Sequence, residues 1–154
     1  YSFPLQVFFL NKRFKMMKEA AELTNCIMDR SIYGDVIFSR MLMEDGDMTI
    51  EEFNVYEELL FNMLEHIKKP KLMIYLESSV NHAISQIEKR GRDYELIVPH
   101  SYWESLNAHY RNYFDNYNLS DILKINVDGL DFFNNENDRN YILNLIDDKI
   151  NSLT

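Results

Sequence analysis

Three short stretches of this sequence combine residue types that can do chemistry. The sharpest is Asp29-Arg30-Ser31, a carboxylate beside a guanidinium directly after the apolar run Cys26-Ile27-Met28. A carboxylate there can hold a metal-bound water, and a guanidinium can grip a phosphate or hydroxyl. The same tripeptide also serves as an ion pair followed by a Ser helix cap, and the three residues alone leave both readings open. Asp35 lies one helical turn after Ser31, so it can face the same cleft or simply complement a helix dipole. Lys89-Arg90-Gly91-Arg92 sets three cations around a helix-ending glycine. They can clamp a phosphate, and cations there also stabilise any helix C-terminus. Gln6 and Arg13 are two turns apart and share a helical face, where an amide and a guanidinium could bond two edges of one ligand. The four histidines, at 66, 82, 100 and 109, lack metal-ligand spacing. Ser31 has no histidine placed by sequence to activate it, which argues against a nucleophilic hydrolase.

The elements that must position these residues follow from apolar spacing and punctuation. Phe3, Val7, Leu10, Phe14, Met17 and Ala21 recur at intervals of three and four, which predicts a helix starting near Ser2-Phe3-Pro4. Cys26-Ile27-Met28 reads as a short buried strand delivering Asp29-Arg30-Ser31 at its carboxyl end. A helix is expected from about Tyr33 to Met43, ending at Asp45-Gly46. Thr49-Ile50-Glu51-Glu52 is a capping box opening a helix through about Ile67, with Lys68-Lys69-Pro70 stopping it. Leu72–Leu76 reads as a second strand, followed by a helix capped at Ser78 or Ser79 and closed at Gly91. Pro99 begins a helix to about Tyr117, Ile122–Val127 is a third strand, and Arg139–Leu153 is a last helix. Apolar strands separated by helices predict an α/β fold with a parallel sheet covered on both faces. Ligands of such sheets bind at the carboxyl ends of the strands.

Composition narrows the function classes. The chain has 154 residues, 46% hydrophobic and 14% aromatic, with a formal net charge of −9. One domain, residues 1–154, is expected, burying roughly 70% of its unfolded surface. The acidic balance argues against a nucleic-acid polymer as partner, while a small anionic ligand needs only a few local cations. No apolar run approaches the ~18 residues of a membrane span. The start of the chain, Tyr1 without an initiator Met, lacks the basic-then-apolar order of a signal peptide. The single cysteine, Cys26, excludes an internal disulfide and a multi-cysteine zinc site, and suits a cytoplasmic location.

Taken together, these stretches resemble the deoxyribonucleoside kinase family, of the bacterial deoxyadenosine/deoxyguanosine kinase type. Ser2-Phe3-Pro4-Leu5-Gln6 with Arg13 resembles its base-reading helix, and Asp29-Arg30-Ser31-Ile32-Tyr33-Gly34-Asp35 its (D/E)RS motif with the downstream Asp. Tyr75-Leu76, then Lys89-Arg90-Gly91-Arg92 and Glu95, resembles its strand, helix and arginine-rich lid, here about residues 86–95. Ile125-Asn126-Val127-Asp128 with Asp131-Phe132 resembles the last strand and the loop beside the ATP adenine. The resemblance implies a P-loop kinase-like fold, ATP and Mg²⁺ as cofactors, a deoxynucleoside substrate and a homodimer. It implies that Gln6 pairs with the base, that Arg13 and Asp35 read its other polar edge, and that Phe38 stacks on it from one position earlier than usual. Arg30 would contact the 5′-hydroxyl and incoming phosphate, and Asp29 would help hold Mg²⁺. Arg90 and Arg92 would clamp the transferring group, Glu95 would bind the 3′-hydroxyl, and Asp131 and Phe132 would sit at the adenine. An Arg13/Asp35 pair resembles members that take deoxyadenosine, deoxyguanosine or deoxycytidine.

The sequence departs from the family pattern in places. Gln86 stands where a first lid Arg is common, and Val80-Asn81 replaces Pro-Glu at the start of the lid helix. No Gly-x-x-x-x-Gly-Lys-(Ser/Thr) loop lies in these residues. The resemblance places that loop, the strand-end Glu base and a sugar-binding Tyr before Tyr1. The chain is therefore expected to be the C-terminal two-thirds of a kinase, inactive by itself, with an open slot where the loop-bearing strand would lie. The alternative is a non-catalytic relative with a structural or protein-interaction role, as in an accessory subunit of respiratory complex I that resembles this family. Retention of Asp29, Arg30, Arg90, Arg92 and Glu95 separates the two readings, because a scaffold has no use for these converging charges.

Overall fold

A computed structural model describes residues 1–153 of the chain. Apolar residues at helical spacing organise its first part. The helix α1 (Ser2–Ala21) turns Leu10 and Met17 fully inward and keeps Phe3, Val7, Phe14 and Ala21 partly covered, which is the expected face. A 3₁₀ turn over Ile32–Gly34 leads into α2 (Asp35–Glu44), and α3 spans Ile50–Leu64. The three helices pack against one another, with Leu10, Ile32, Tyr33, Ile37, Met41, Tyr56 and Leu60 all within 3% of complete burial. The capping box forms as the sequence predicts: the Glu52 N–H donates to Thr49 Oγ1 at 3.2 Å, and the Thr49 N–H donates to Glu52 Oε2 at 2.9 Å.

One expected element is not present. Cys26–Met28 has no regular secondary structure, and Ile27 is 95% exposed where a buried strand was expected. A strand exists only through hydrogen bonds to a neighbour. Among the described residues none pairs with this segment, so the sheet has two strands and not three.

Those strands belong to the second part of the chain. β1 (Leu72–Glu77) pairs in parallel with β2 (Asp121–Asn126), with Leu72 opposite Asp121 and Glu77 opposite Asn126. A parallel pair needs a long crossover, here α4 (Val80–Arg90), α5 (Asp93–Leu96) and α6 (His100–Asp115). The two-residue period of the strands then assigns the faces. Tyr75 stacks on Phe114 of α6 at 4.3 Å, and its register partner Lys124 reaches Asp115 of α6 at 2.6 Å. Ile125 points the other way, into a cluster with Val127 and Ile142, the latter on α7 (Glu136–Ser152). Helices thus lie on both faces of a parallel sheet, the α/β architecture expected, although Ile74 and Leu76 of β1 stay exposed on the face that α7 packs against.

The ends of α4 match the sequence reading. Ser79 Oγ accepts the His82 N–H at 3.2 Å, and Gly91 closes the helix with φ 65°, a left-handed conformation that only glycine adopts without strain. α7 starts before the expected Arg139 because the Asn135 side chain accepts the N–H groups of Asn137 and Asp138. The chain divides into two compact units, Tyr1–Lys69 and the residues from Pro70 onward. Among the described residues no helix is long and apolar enough to cross a membrane.

Because the α3 cap satisfies two otherwise orphaned N–H groups, Thr49→Ala is expected to lower stability by about 1 kcal/mol, with Thr49→Ser close to wild type. Urea unfolding midpoints measure this, and an unchanged midpoint for the alanine variant would show that the box contributes nothing.

Candidate active site

In the first unit, α1 and α2 bring two of the predicted residues together. Arg13 lies two turns after Gln6 on α1, and Asp35 is the first residue of α2. One Arg13 nitrogen, Nη1, lies 2.8 Å from each Asp35 carboxylate oxygen. The Asp35 side chain is 3% exposed and that of Arg13 17%. Arg13 is also held over the Phe9 ring, 5.4 Å from its centroid, so its guanidinium is fixed by aromatic contact as well as by charge. Burial pushes the Asp35 carboxyl above its ordinary value, against the opposing pull of Arg13 and, more weakly, Arg30.

Arg30 adopts φ 61°, in the left-handed region that non-glycine residues rarely visit. Its guanidinium lies over the Phe38 ring, 4.4 Å from the centroid. Phe38, expected to stack on a base, is thus occupied by the neighbouring cation. Asp29 is exposed and borders an open apolar groove of about 390 Å³ with Met16, Leu23, Cys26 and Met28.

Two buried residues near this pair carried no functional signal in the sequence. Ser39 and Tyr56 are fully buried, and neither hydroxyl has a well-formed hydrogen bond. Burial raises Tyr56 to about 12, while the neighbouring Ser39 acts the other way. Its hydroxyl therefore stays protonated. Ser39 stands four residues after Asp35 on α2, a spacing that places both on one face. The sequence contains that clue, but Tyr56 reads there as ordinary core.

In the second unit, the cations around Gly91 converge on one carboxylate. Glu95 Oε2 lies 2.9 Å from Arg90 Nη2, and Glu95 Oε1 lies 3.4 Å from Arg92 Nη1. Arg92 also donates to the Tyr94 hydroxyl at 3.3 Å. Both arginines are half-exposed, so these pairs are weak and exchangeable. Further along, the Asn134 backbone and side-chain N–H groups donate to Asp131, holding its carboxyl below its ordinary value. Phe132 beside it is 41% exposed.

The local geometry thus supplies a buried ion pair at a helix junction and a half-exposed cationic cluster balanced by one glutamate. A family model described as deoxynucleoside kinase matches residues 1–151. The chain belongs to the deoxynucleoside kinase family. A deoxyguanosine kinase of Lactobacillus johnsonii is 36% identical over 162 aligned residues, covering 99% of this chain and 72% of that protein. A deoxyadenosine/deoxycytidine kinase of Bacillus subtilis is 35% identical, covering 96% of this chain and 68% of its own length. The structure of deoxyadenosine kinase from M. mycoides with products dCMP and a flexible dCDP bound superposes with a TM-score of 0.81 and 31% identity. It covers 98% of this chain and 74% of that one. The kinase family's α/β fold and its activity on deoxynucleosides accordingly apply here.

The raised Asp35 carboxyl has a pH signature. The folded chain binds this proton more tightly than the unfolded chain, whose ordinary value is 3.8. Its contribution to stability is therefore full below that value and lost as pH rises through the folded one. The stability of wild type relative to Asp35→Asn, followed by urea unfolding from about pH 3 to 7, is expected to decline with rising pH and then level off. An increase over that window would show that Arg13 outweighs burial.

Proposed function

We propose that the chain carries the nucleoside-recognising and phosphate-clamping residues of an ATP- and Mg²⁺-dependent kinase. Its reaction is phosphorylation of the 5′-hydroxyl of deoxyadenosine, deoxyguanosine or deoxycytidine, in cytoplasmic nucleotide salvage. The observation that carries this reading is the buried Arg13–Asp35 pair. Such a pair is costly to bury, and a base with an exocyclic amine or ring nitrogen gives both members a partner. Gln6, on the same helix, bonds another edge of the base. The bound dATP and dCTP named for the M. mycoides deoxyadenosine kinase structures support adenine and cytosine nucleotides as ligands of this kind of enzyme.

Phosphoryl transfer needs positioning and neutralisation of charge more than covalent chemistry. Arg30 orients the 5′-hydroxyl and meets the incoming phosphate, leaving its contact with Phe38 so that the ring can stack on the base. Arg90 and Arg92 exchange Glu95 for the phosphoryl oxygens, and the freed Glu95 accepts the sugar 3′-hydroxyl. Asp131 and Phe132 flank the donor base. Asp29 is a single exposed carboxylate, and magnesium in such enzymes takes one or two carboxylates with water and phosphate oxygens, so Asp29 fits as a protein ligand. Bound there, the ion would neutralise charge on the phosphate oxygens.

The homodimer is also part of this proposal. α1 exposes Leu5, Phe8, Phe9 and Met16, spaced to form a face opposite its buried one. An exposed apolar stripe of this kind marks an interaction surface. Sedimentation velocity is expected to give a dimer, and Phe8→Asp a monomer; a wild-type monomer at tens of micromolar would remove the dimer from the reading.

The kinase itself is tested by steady-state phosphate transfer in the full coding-region product, since no phosphate loop lies within these 154 residues. Arg30→Ala is expected to lower kcat by about 10²–10³-fold with the fold intact. Asp35→Ala is expected to cut kcat/KM for deoxyadenosine and deoxycytidine by about 10² or more, with thymidine affected least. Unchanged turnover after Arg30→Ala would refute the assignment of the chemistry.

A further inference from the structure

One carboxylate outside these roles sits at the root of α4. Asp128 follows β2 by two residues, and reaches back across the sequence to Ser79, the N-cap of α4. The Ser79 N–H donates to Asp128 Oδ1 at 2.9 Å and Oδ2 at 3.2 Å, and the Ser79 hydroxyl donates to Oδ1 at 3.2 Å. That hydroxyl oxygen in turn accepts the His82 N–H at 3.2 Å. The bonds run in series from helix amide to serine to carboxylate. A hydroxyl whose proton is drawn toward a carboxylate is a stronger acceptor, so the remote charge strengthens the cap.

The first turn of α4 contains no acidic residue of its own. Asp128 therefore supplies, from another part of the chain, the negative charge that a helix N-terminus favours. Asp128 is itself fixed on its own side. Its N–H donates to Asn126 Oδ1 at 2.8 Å, and the Val127 N–H donates to Glu77 O at 2.9 Å, carrying the strand pairing one step beyond β2. The loop after β2 is thus bonded to α4 at its first turn.

We propose that Asp128 is a positioning residue that locks the root of α4 to the loop carrying Asp131 and Phe132. α4 is a rod roughly 16 Å long, with Arg90 at its far end and Arg92 just beyond Gly91. Anchoring its first turn sets where those arginines lie relative to the loop, so lid and donor-base loop move as one body. The functional half of this inference rests on the roles proposed above for Arg90, Arg92, Asp131 and Phe132; the mechanical half does not.

Hydrogen exchange on the chain itself tests the mechanical half. Asp128→Ala is expected to speed exchange of the amides of residues 79–83 and of residues 129–134 together, by about tenfold or more. Asp121→Ala, which removes an ion pair with Lys149 at the other end of β2, is expected to leave both segments unchanged. Faster exchange in one segment only, or in neither, overturns the lock. Asp128→Asn keeps one acceptor oxygen without the charge and gives an intermediate rate, and decides the matter if the alanine variant does not fold. In the full coding-region product, Asp128→Ala is expected to raise KM for ATP about fivefold or more while KM for deoxyadenosine stays put. A fall in kcat with both KM values unchanged would mark a residue that acts on stability alone. Absence of any wild-type turnover would count against the kinase roles and leave the exchange result to judge the lock.

Discussion

The parallel pairing of β1 with β2 constrains the second half of the molecule more than any other interaction. Parallel neighbours cannot be joined by a tight turn, so residues 78–120 must leave one end of the sheet and return to the other. That crossover contains the arginines and the glutamate of the cationic cluster. The same pairing fixes register, and register fixes faces: Tyr75 and Lys124 turn toward α6, while Ile125 turns toward α7. A slip of one residue would exchange these faces and bury Lys124 in place of Ile125.

In the first unit the comparable constraint is electrostatic. Arg13 and Asp35 come from different helices, and their contact holds the start of α2 against the second half of α1. Two charges removed from water are an expensive way to join helices, and apolar residues of similar volume would join them at lower cost. The recognition role proposed above would give such a pair a use beyond joining the helices. The fully buried hydroxyls of Ser39 and Tyr56 extend this polar character into the core between α2 and α3.

Much of this was legible in the sequence where the physics is local. The apolar spacing of α1, the Thr49–Glu52 box, the Ser79 cap and the Gly91 terminus are each decided by residues within a few positions. So is the order of motifs that relates the chain to deoxynucleoside kinases. What was misread or missed depends on distant partners. Cys26-Ile27-Met28 has the composition of a strand, but composition does not supply the neighbour a strand requires. The Asp128–Ser79 bonds span forty-nine positions, and no periodicity connects them. The contact of Arg30 with Phe38 depends on a backbone twist at Arg30 that the residue type disfavours.

That twist places two selective pressures in opposition at one position. At φ 61° the backbone suits glycine better than any residue with a Cβ, so Arg30→Gly would relieve the local conformation. It would also delete the guanidinium proposed above to meet the incoming phosphate. In a population of variants sorted for thermal stability alone, glycine should therefore accumulate at position 30. Sorted for activity, the same library should retain arginine there. With the role proposed for Arg30, the backbone at this site is a point where durability and catalysis favour different amino acids.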